Sequence, residues 1–176
     1  MPQKKTAQNR DTQKNEPTPK RGAKRQHAQA ARSSDKWSWY LPSLFENDER
    51  ITLASLDGKP TVVNFFASWC VECERELPEF EAAAAEFGDE VDFVFVQSQE
   101  TSAGAGRDMA RDHDLEQFLV ARDVGWRNDD LSTNLGARGM PLTAFYDADG
   151  NLLTVNRGAL VGGQLVQQMQ QLGIVS

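Results

Sequence analysis

Apolar residues recur in ordered patterns only from about residue 37 onward. TVVNFFA at 61–67 is β-branched and aromatic, with Asn64 as its chief polar interruption, which predicts a strand buried on both faces of a sheet. The turn signal Asp57-Gly58-Lys59-Pro60 precedes it. Residues 71–87 switch to helical spacing, with Leu77, Phe80, Ala84 and Phe87 on one side, glutamates elsewhere and Gly88 at the end. VDFVFVQ (91–97) repeats the buried-strand pattern, RDMARDHDLEQ (107–117) reads as a polar helix, and FLVAR (118–122) as a short strand. This β-α-β-α-β order predicts a parallel sheet core. A short helix is expected near 129–136, after a loop that holds Trp126. PLTAFYD and NLLTVNRG flank Asp147-Ala148-Asp149-Gly150 as a hairpin. Residues 163–172 close the chain as a helix with Leu165, Val166, Met169 and Leu172 inward. The stretch 37–56 mixes aromatics, Pro42 and short apolar pairs and yields no definite element, and no internal repeat is apparent.

Composition divides the chain in two. Residues 1–36 hold ten Lys/Arg against three Asp/Glu, a local charge of +7, whereas 37–176 hold nine against 23, or −14. The basic stretch contains no Trp, Phe, Tyr, Ile, Leu or Val, so it has too little apolar surface to offset the entropy of ordering it. It is expected to be a disordered tail, joined to one domain at 37–176. Basic clusters such as PKRGAKR could touch nucleic acid, anionic lipid or the acidic domain. Without interleaved aromatics they form no base-stacking platform, so no specific nucleic-acid partner is expected. No stretch approaches the roughly 18–20 apolar residues of a membrane span, and no apolar segment follows the basic start as a secretory signal requires, so as written the sequence carries no export address.

The two cysteines, Cys70 and Cys73, fall where the strand at 61–67 hands over to the helix at 71–87. As a structural staple they would be poor, because the loop they close is tiny and removes little unfolded-state entropy. Residues at i and i+3 of a first helical turn meet the requirement that bonded cysteines have Cα atoms within about 7 Å. The pair can therefore cycle between dithiol and disulfide. Cys70, at the helix N-terminus, faces free N–H groups and the positive end of the dipole, which favour a thiolate. It would attack, and Cys73, one turn deeper, would resolve the mixed disulfide. A zinc site would need two further ligands, and the histidines are His27 in the tail and His113 far from the pair, so no metal is expected. A pair of inert buried thiols is the other alternative; a strand end leading into a helix start is instead exposed, functional territory.

LPSLF, LDGKPTVVNFFASWCVEC, ERELP, RGMPLTAFYDADGNLL and GAL, in that order across about residues 41–172, resemble the thioredoxin-fold thiol:disulfide oxidoreductases of the TlpA and ResA type. The resemblance implies an α/β thioredoxin-like fold with a central mixed sheet flanked by helices. The run Cys-x-x-Cys-x-x-Glu-x-Pro, and Asn64 where ordinary thioredoxins carry a buried aspartate, separate this branch. By the same resemblance Trp69 shapes a docking surface and Glu76 lies near the dithiol and assists proton transfer. Pro141 is expected in the cis form, with Met140 offering backbone to an extended substrate segment. On sequence alone Trp69 could equally be core and Glu76 a solvent-facing helix residue. Leu142 departs from the threonine often found there, which bears on partner specificity, and Pro78 should bend the active-site helix.

Glu72 lies inside the Cys-x-x-Cys loop, where a negative charge opposes the Cys70 thiolate and favours the disulfide, so the couple is expected to lean toward reduction of its partners. The family tasks implied are reduction of apocytochrome c thiols or maintenance of other extracytoplasmic thiols, with protein dithiol or disulfide substrates, a dithiol electron donor, no cofactor beyond the Cys70–Cys73 couple and a monomeric protein. Relatives are usually exported or membrane-tethered, at odds with the polar start of this chain. Two other readings stand beside this one: a non-catalytic binding module that kept the fold, and a thiol peroxidase, which would need a cysteine in its own Pro and Thr setting. DADGN lacks the ligand spacing of a calcium loop, SAGAGRDMA lacks the third glycine of a phosphate loop, and one domain histidine cannot complete a Ser/His/acid triad.

Overall fold

A computed structural model describes residues 39–47, 49–53, 56, 58–124 and 130–176, all within the unit Asp35–Ser176. The expected basic tail at 1–36 and the Trp126 loop lie outside the described residues. Five strands form one mixed sheet. In chain order its elements are β3 (Thr61–Phe66), α1 (Val71–Phe87), β4 (Asp92–Gln97), α2 (Ala103–Asp112), β5 (Leu119–Arg122), α3 (Leu131–Asn134), β6 (Leu142–Tyr146), β7 (Leu152–Arg157) and α4 (Gln164–Gln171). The spatial order is β5-β4-β3-β6-β7, with β3, β4 and β5 mutually parallel and β6 and β7 antiparallel to their neighbours. The parallel core and the terminal hairpin thus stand where the hydrophobic pattern placed them. Ahead of them β1 (Tyr40–Pro42) pairs with β2 (Arg50–Thr52), and Ser43 bridges to Ala121 at the β5 edge.

Period-two alternation in β3 explains the layers. Val62 and Phe66 enter one core with Leu77 and Phe80 of α1, Met109 of α2 and Leu165 and Met169 of α4. Val63 and Phe65 enter a second core on the opposite face with Leu41, Ile51, Leu131 and Leu135. Asn64 therefore points to the α1 side, as does Thr143, its register partner on β6. Within α1 the expected apolar face is buried at Leu77, Phe80 and Ala84, Phe87 is half-buried, and Pro78 lies inside the helix. Val166 and Leu172 pack on the core from partly buried positions. The N-terminus of α4 is held by α1, because Gly162 and Gly163 N–H groups donate to the two carboxylate oxygens of Glu79 at 3.0 and 3.2 Å.

One element differs from expectation. The helix placed at 107–117 instead runs Ala103–Asp112, and Asp114, in the left-handed region at φ 51°, separates it from a 3-10 turn at Leu115–Gln117. Ser102 starts it by accepting from Ala105 N–H at 3.2 Å, so the glycines of SAGAG are helical residues rather than a phosphate loop. Gly104 and Gly106 lower intrinsic helix propensity and hid this start. Packing requires one of them: a Cβ on Gly106 would lie 2.3 Å from the side chain of buried Gln97, whereas one on Gly104 would meet only Ser102 Oγ at 3.6 Å. Gly106→Ala should therefore destabilise the fold by about 1–3 kcal/mol. Gly104→Ala should stabilise it by a few tenths to about 1 kcal/mol, a contrast in sign that urea unfolding of the two variants measures.

Candidate active site

Cys70 is the N-cap of α1, and its extended backbone (φ −96°, ψ 98°) lets Sγ accept from Cys73 N–H at 3.1 Å. The sulfur occupies the position of a capping oxygen, where unpaired helix N–H groups and the dipole stabilise negative charge. Cys70 and Cys73 are joined as a disulfide with Cα atoms 5.2 Å apart. Cys70 is 4% exposed and Cys73 0%, so both are buried where the strand-to-helix junction was expected to be exposed, and of the two Cys70 lies nearer the surface.

Behind them lies Glu76, one turn past Cys73 on the same side of α1 and 0% exposed. Its Oε1 accepts from Asn64 Nδ2 at 2.7 Å and its Oε2 from Leu160 N–H at 2.9 Å. Burial raises its pKa from 4.5 to about 7; the two hydrogen bonds pull the other way, and the charge of Glu72 adds to the rise. The carboxyl is thus divided between its two protonation states near neutral pH. Asn64 is buried as well, with Nδ2 also 3.4 Å from Thr143 Oγ1. Its amide carries both a donor and an acceptor, so it can pair with Glu76 in either state, whereas an aspartate there would set two carboxylates against each other.

Trp69 is 55% exposed, which places it on the surface rather than in the core, and its Nε1–H donates to the Gln99 carbonyl at 3.2 Å. The Met140-Pro141 bond is cis, Met140 is half-buried against both cores, and the Pro141 carbonyl accepts from Gly158 N–H at 3.0 Å. Glu72 is not an isolated charge: Arg75 Nη1 donates to both its oxygens at 2.7 and 2.9 Å in a solvent-exposed pair. That cation, three residues on, was overlooked in the sequence although i, i+3 spacing signals it. Also missed was the contact of Ser68 with Glu100, which no local pattern signals across 32 positions. Among the described residues no group of three or more His, Cys, Asp or Glu is placed to hold a metal, and no helix is long and apolar enough to cross a membrane.

The Redoxin family pattern matches residues 22–170. The chain belongs to the Redoxin family. Within it, the TlpA/ResA-type resemblance holds. The chain is 34% identical over 110 residues to the thiol:disulfide interchange protein DsbE of Pseudomonas fluorescens, a match covering 62% of this chain and 57% of that protein. It is 29% identical over 125 residues to the thiol-disulfide oxidoreductase ResA of Halalkalibacterium halodurans, covering 70% and 68%. Among solved structures, Mycobacterium tuberculosis DsbF superposes with a TM-score of 0.66 at 27% identity, covering 78% of this chain and 96% of that one. A secreted disulfide oxidoreductase of the same organism, at 22% identity and a TM-score of 0.64, covers 81% and 100% and shares the fold. This Redoxin-family chain spans a little over half the length of the DsbE relative. The dithiol, the thioredoxin-like sheet and the thiol:disulfide oxidoreductase relatives agree.

Glu76 makes stability depend on pH. Its folded pKa of about 7 lies above the ordinary 4.5, so its contribution is complete below pH 4.5 and is lost as pH rises through 7. For the disulfide form this loss should reach roughly 2–3 kcal/mol between pH 4.5 and 8. Glu76→Gln should remove it, and urea unfolding across that range checks the slope; an equal slope in the variant would assign it to another group.

Proposed function

We propose that this protein reduces disulfides in protein clients. The observation that carries the reading is Cys70 Sγ at the N-cap of α1, accepting from Cys73 N–H, with the buried Glu76 carboxyl one turn behind. In the reduced form the Cys70 thiolate attacks a client disulfide; one client sulfur leaves as a thiolate and takes up a proton, and a Cys70–client mixed disulfide forms. Cys73 then loses its proton, attacks Cys70 Sγ and releases the second client thiol, leaving the Cys70–Cys73 disulfide. Two electrons pass from the dithiol to the client, and a dithiol donor restores them. Glu76, with its pKa of about 7, is the proton acceptor for Cys73 in the second step. No metal or organic group enters these steps, and one copy of the chain suffices. Trp69 and the Met140-Pro141 segment receive the client beside the dithiol. Apocytochrome c thiols are one client class the family resemblance suggests.

The couple leans toward reduction because Glu72 opposes the Cys70 thiolate, and Arg75 moderates that effect. Insulin reduction driven by a dithiol donor should proceed with the intact protein and vanish in Cys70→Ser, while Cys73→Ser should accumulate a mixed disulfide. A protein that binds clients without turnover would identify the binding-module alternative. In equilibration against glutathione, Glu72→Gln should shift the couple toward the dithiol and Arg75→Gln toward the disulfide, each by up to about fivefold, the range of exposed ion pairs. Shifts of the same sign would remove Glu72 as the cause.

A further inference from the structure

Strands β3 and β4 run parallel with Phe66 opposite Gln97, so the turn leading to Cys70 and the segment 98–102 leave the sheet at one edge. Ser98 N–H donates to the Phe66 carbonyl at 2.9 Å where they part. Segment 98–102 is tied down from below: Gln97 Nε2 donates to the Ser102 carbonyl at 2.7 Å and Arg122 Nη2 to the Thr101 carbonyl at 3.1 Å. Gln99 is held at φ 53°, a left-handed conformation that residues other than Gly, Asn and Asp seldom adopt. From there its carbonyl receives the Trp69 indole N–H. Glu100 makes the second link, for its Oε2 accepts from Ser68 Oγ while its Oε1 accepts from Thr101 and Ser102 N–H at 3.1 and 3.3 Å. Both carboxylate oxygens are thus engaged, one by the active-site turn and one by the anchored loop.

We propose that Glu100 is a positioning residue for client capture, clamping Ser68 and so holding the exposed Trp69 ring as a fixed platform beside Cys70. It acts through Ser68 and Trp69 and not on the thiol chemistry, and this rests on the reading that Trp69 receives protein clients. An indole with 55% of its surface exposed relies less on packing to orient it; the Gln99 carbonyl holds its N–H, the Cys70 N–H to Ala67 carbonyl bond at 3.0 Å closes the turn that carries it, and the clamp adds a side-chain tie to that turn. Loss of the clamp therefore costs docking of an extended client, whereas a small disulfide that needs no platform reacts as before.

The test compares insulin with 5,5′-dithiobis(2-nitrobenzoate), a small aromatic disulfide, using the intact chain. Glu100→Ala should raise KM for insulin about fivefold to tenfold while kcat and the rate with the small disulfide stay within about twofold. Ser68→Ala should raise KM for insulin in the same direction by a part of this amount, and the double variant should be no worse than Glu100→Ala alone, since Glu100→Ala already removes the Ser68 hydroxyl contact together with those to Thr101 and Ser102. Glu100→Gln keeps an oxygen for Ser68 and should recover at least half of the loss. With 5-fluorotryptophan incorporated and the Trp69 signal assigned by Trp69→Phe, Glu100→Ala should shift or broaden that resonance. Unchanged KM, an additive double variant, or an equal loss with the small disulfide would overturn the proposal. A wild-type chain that reduces neither substrate would instead defeat the proposed function itself.

Discussion

The site depends on one buried carboxyl. Glu76 is withdrawn from water, and removing an ionised carboxylate from solvent costs several kcal/mol unless charge or hydrogen bonds compensate. Here two donors from different parts of the chain do so: Asn64 from the middle of β3 and the Leu160 N–H from the segment between β7 and α4. The compensation is partial, which is why the proton is held up to about pH 7. Because the two donors lie on separate elements, the same carboxyl joins α1 to the sheet and to the approach of α4. Glu79, one residue past Pro78, adds a second tie by capping α4 through Gly162 and Gly163. The turn of α1 that bears the cysteines is thus the first turn of a helix fixed along its next turns.

That mechanical arrangement has an electrostatic counterpart. The N-cap geometry favours charge on Cys70, while the acids of α1 oppose it, Glu76 from the buried side and Glu72 from the exposed side. The two differ in how solvent treats them. Glu72 faces water and is met by Arg75, so its influence is screened and small. Glu76 sits in a poorly screened interior and changes its own protonation instead of tolerating a nearby negative charge. A thiolate formed at the dithiol therefore pushes the Glu76 proton affinity up, which supports the proposed role of Glu76 as acceptor of the Cys73 proton.

Much of this was legible in the sequence, for reasons that differ by residue. The buried strands β3 and β4 and the β6–β7 hairpin announce themselves because apolar runs and turn residues are local signals. The dithiol is equally local, since four positions carry both the spacing and the helix start. The three-residue strands β1 and β2 were not legible, being too short for a period to register, and β1 contains Pro42. Helix α2 was placed late because Gly106 serves contact with Gln97 rather than helix propensity. The cis Met140-Pro141 bond came from family resemblance alone, as the flanking residues do not encode it. The burial of Glu76 required knowing that Asn64 and Leu160 converge on it, a fact of tertiary structure.

The contacts that escaped the sequence share a feature that bears on how such a site can change. Ser68 with Glu100 and Trp69 with Gln99 join turns that follow adjacent parallel strands, so strand register brings them together, not spacing along the chain. Parallel strands place successive crossover turns at the same sheet edge, and side chains there can be exchanged without disturbing the ladder beneath. The buried triad of Asn64, Glu76 and Leu160 has no such freedom, because removing either side-chain partner leaves a polar group unpaired in the interior. In the proposed mechanism, proton handling is thus set in the rigid layer behind the cysteines, and the surface proposed for a client is set in the turns in front of them. On that reading the two layers can be altered independently of each other.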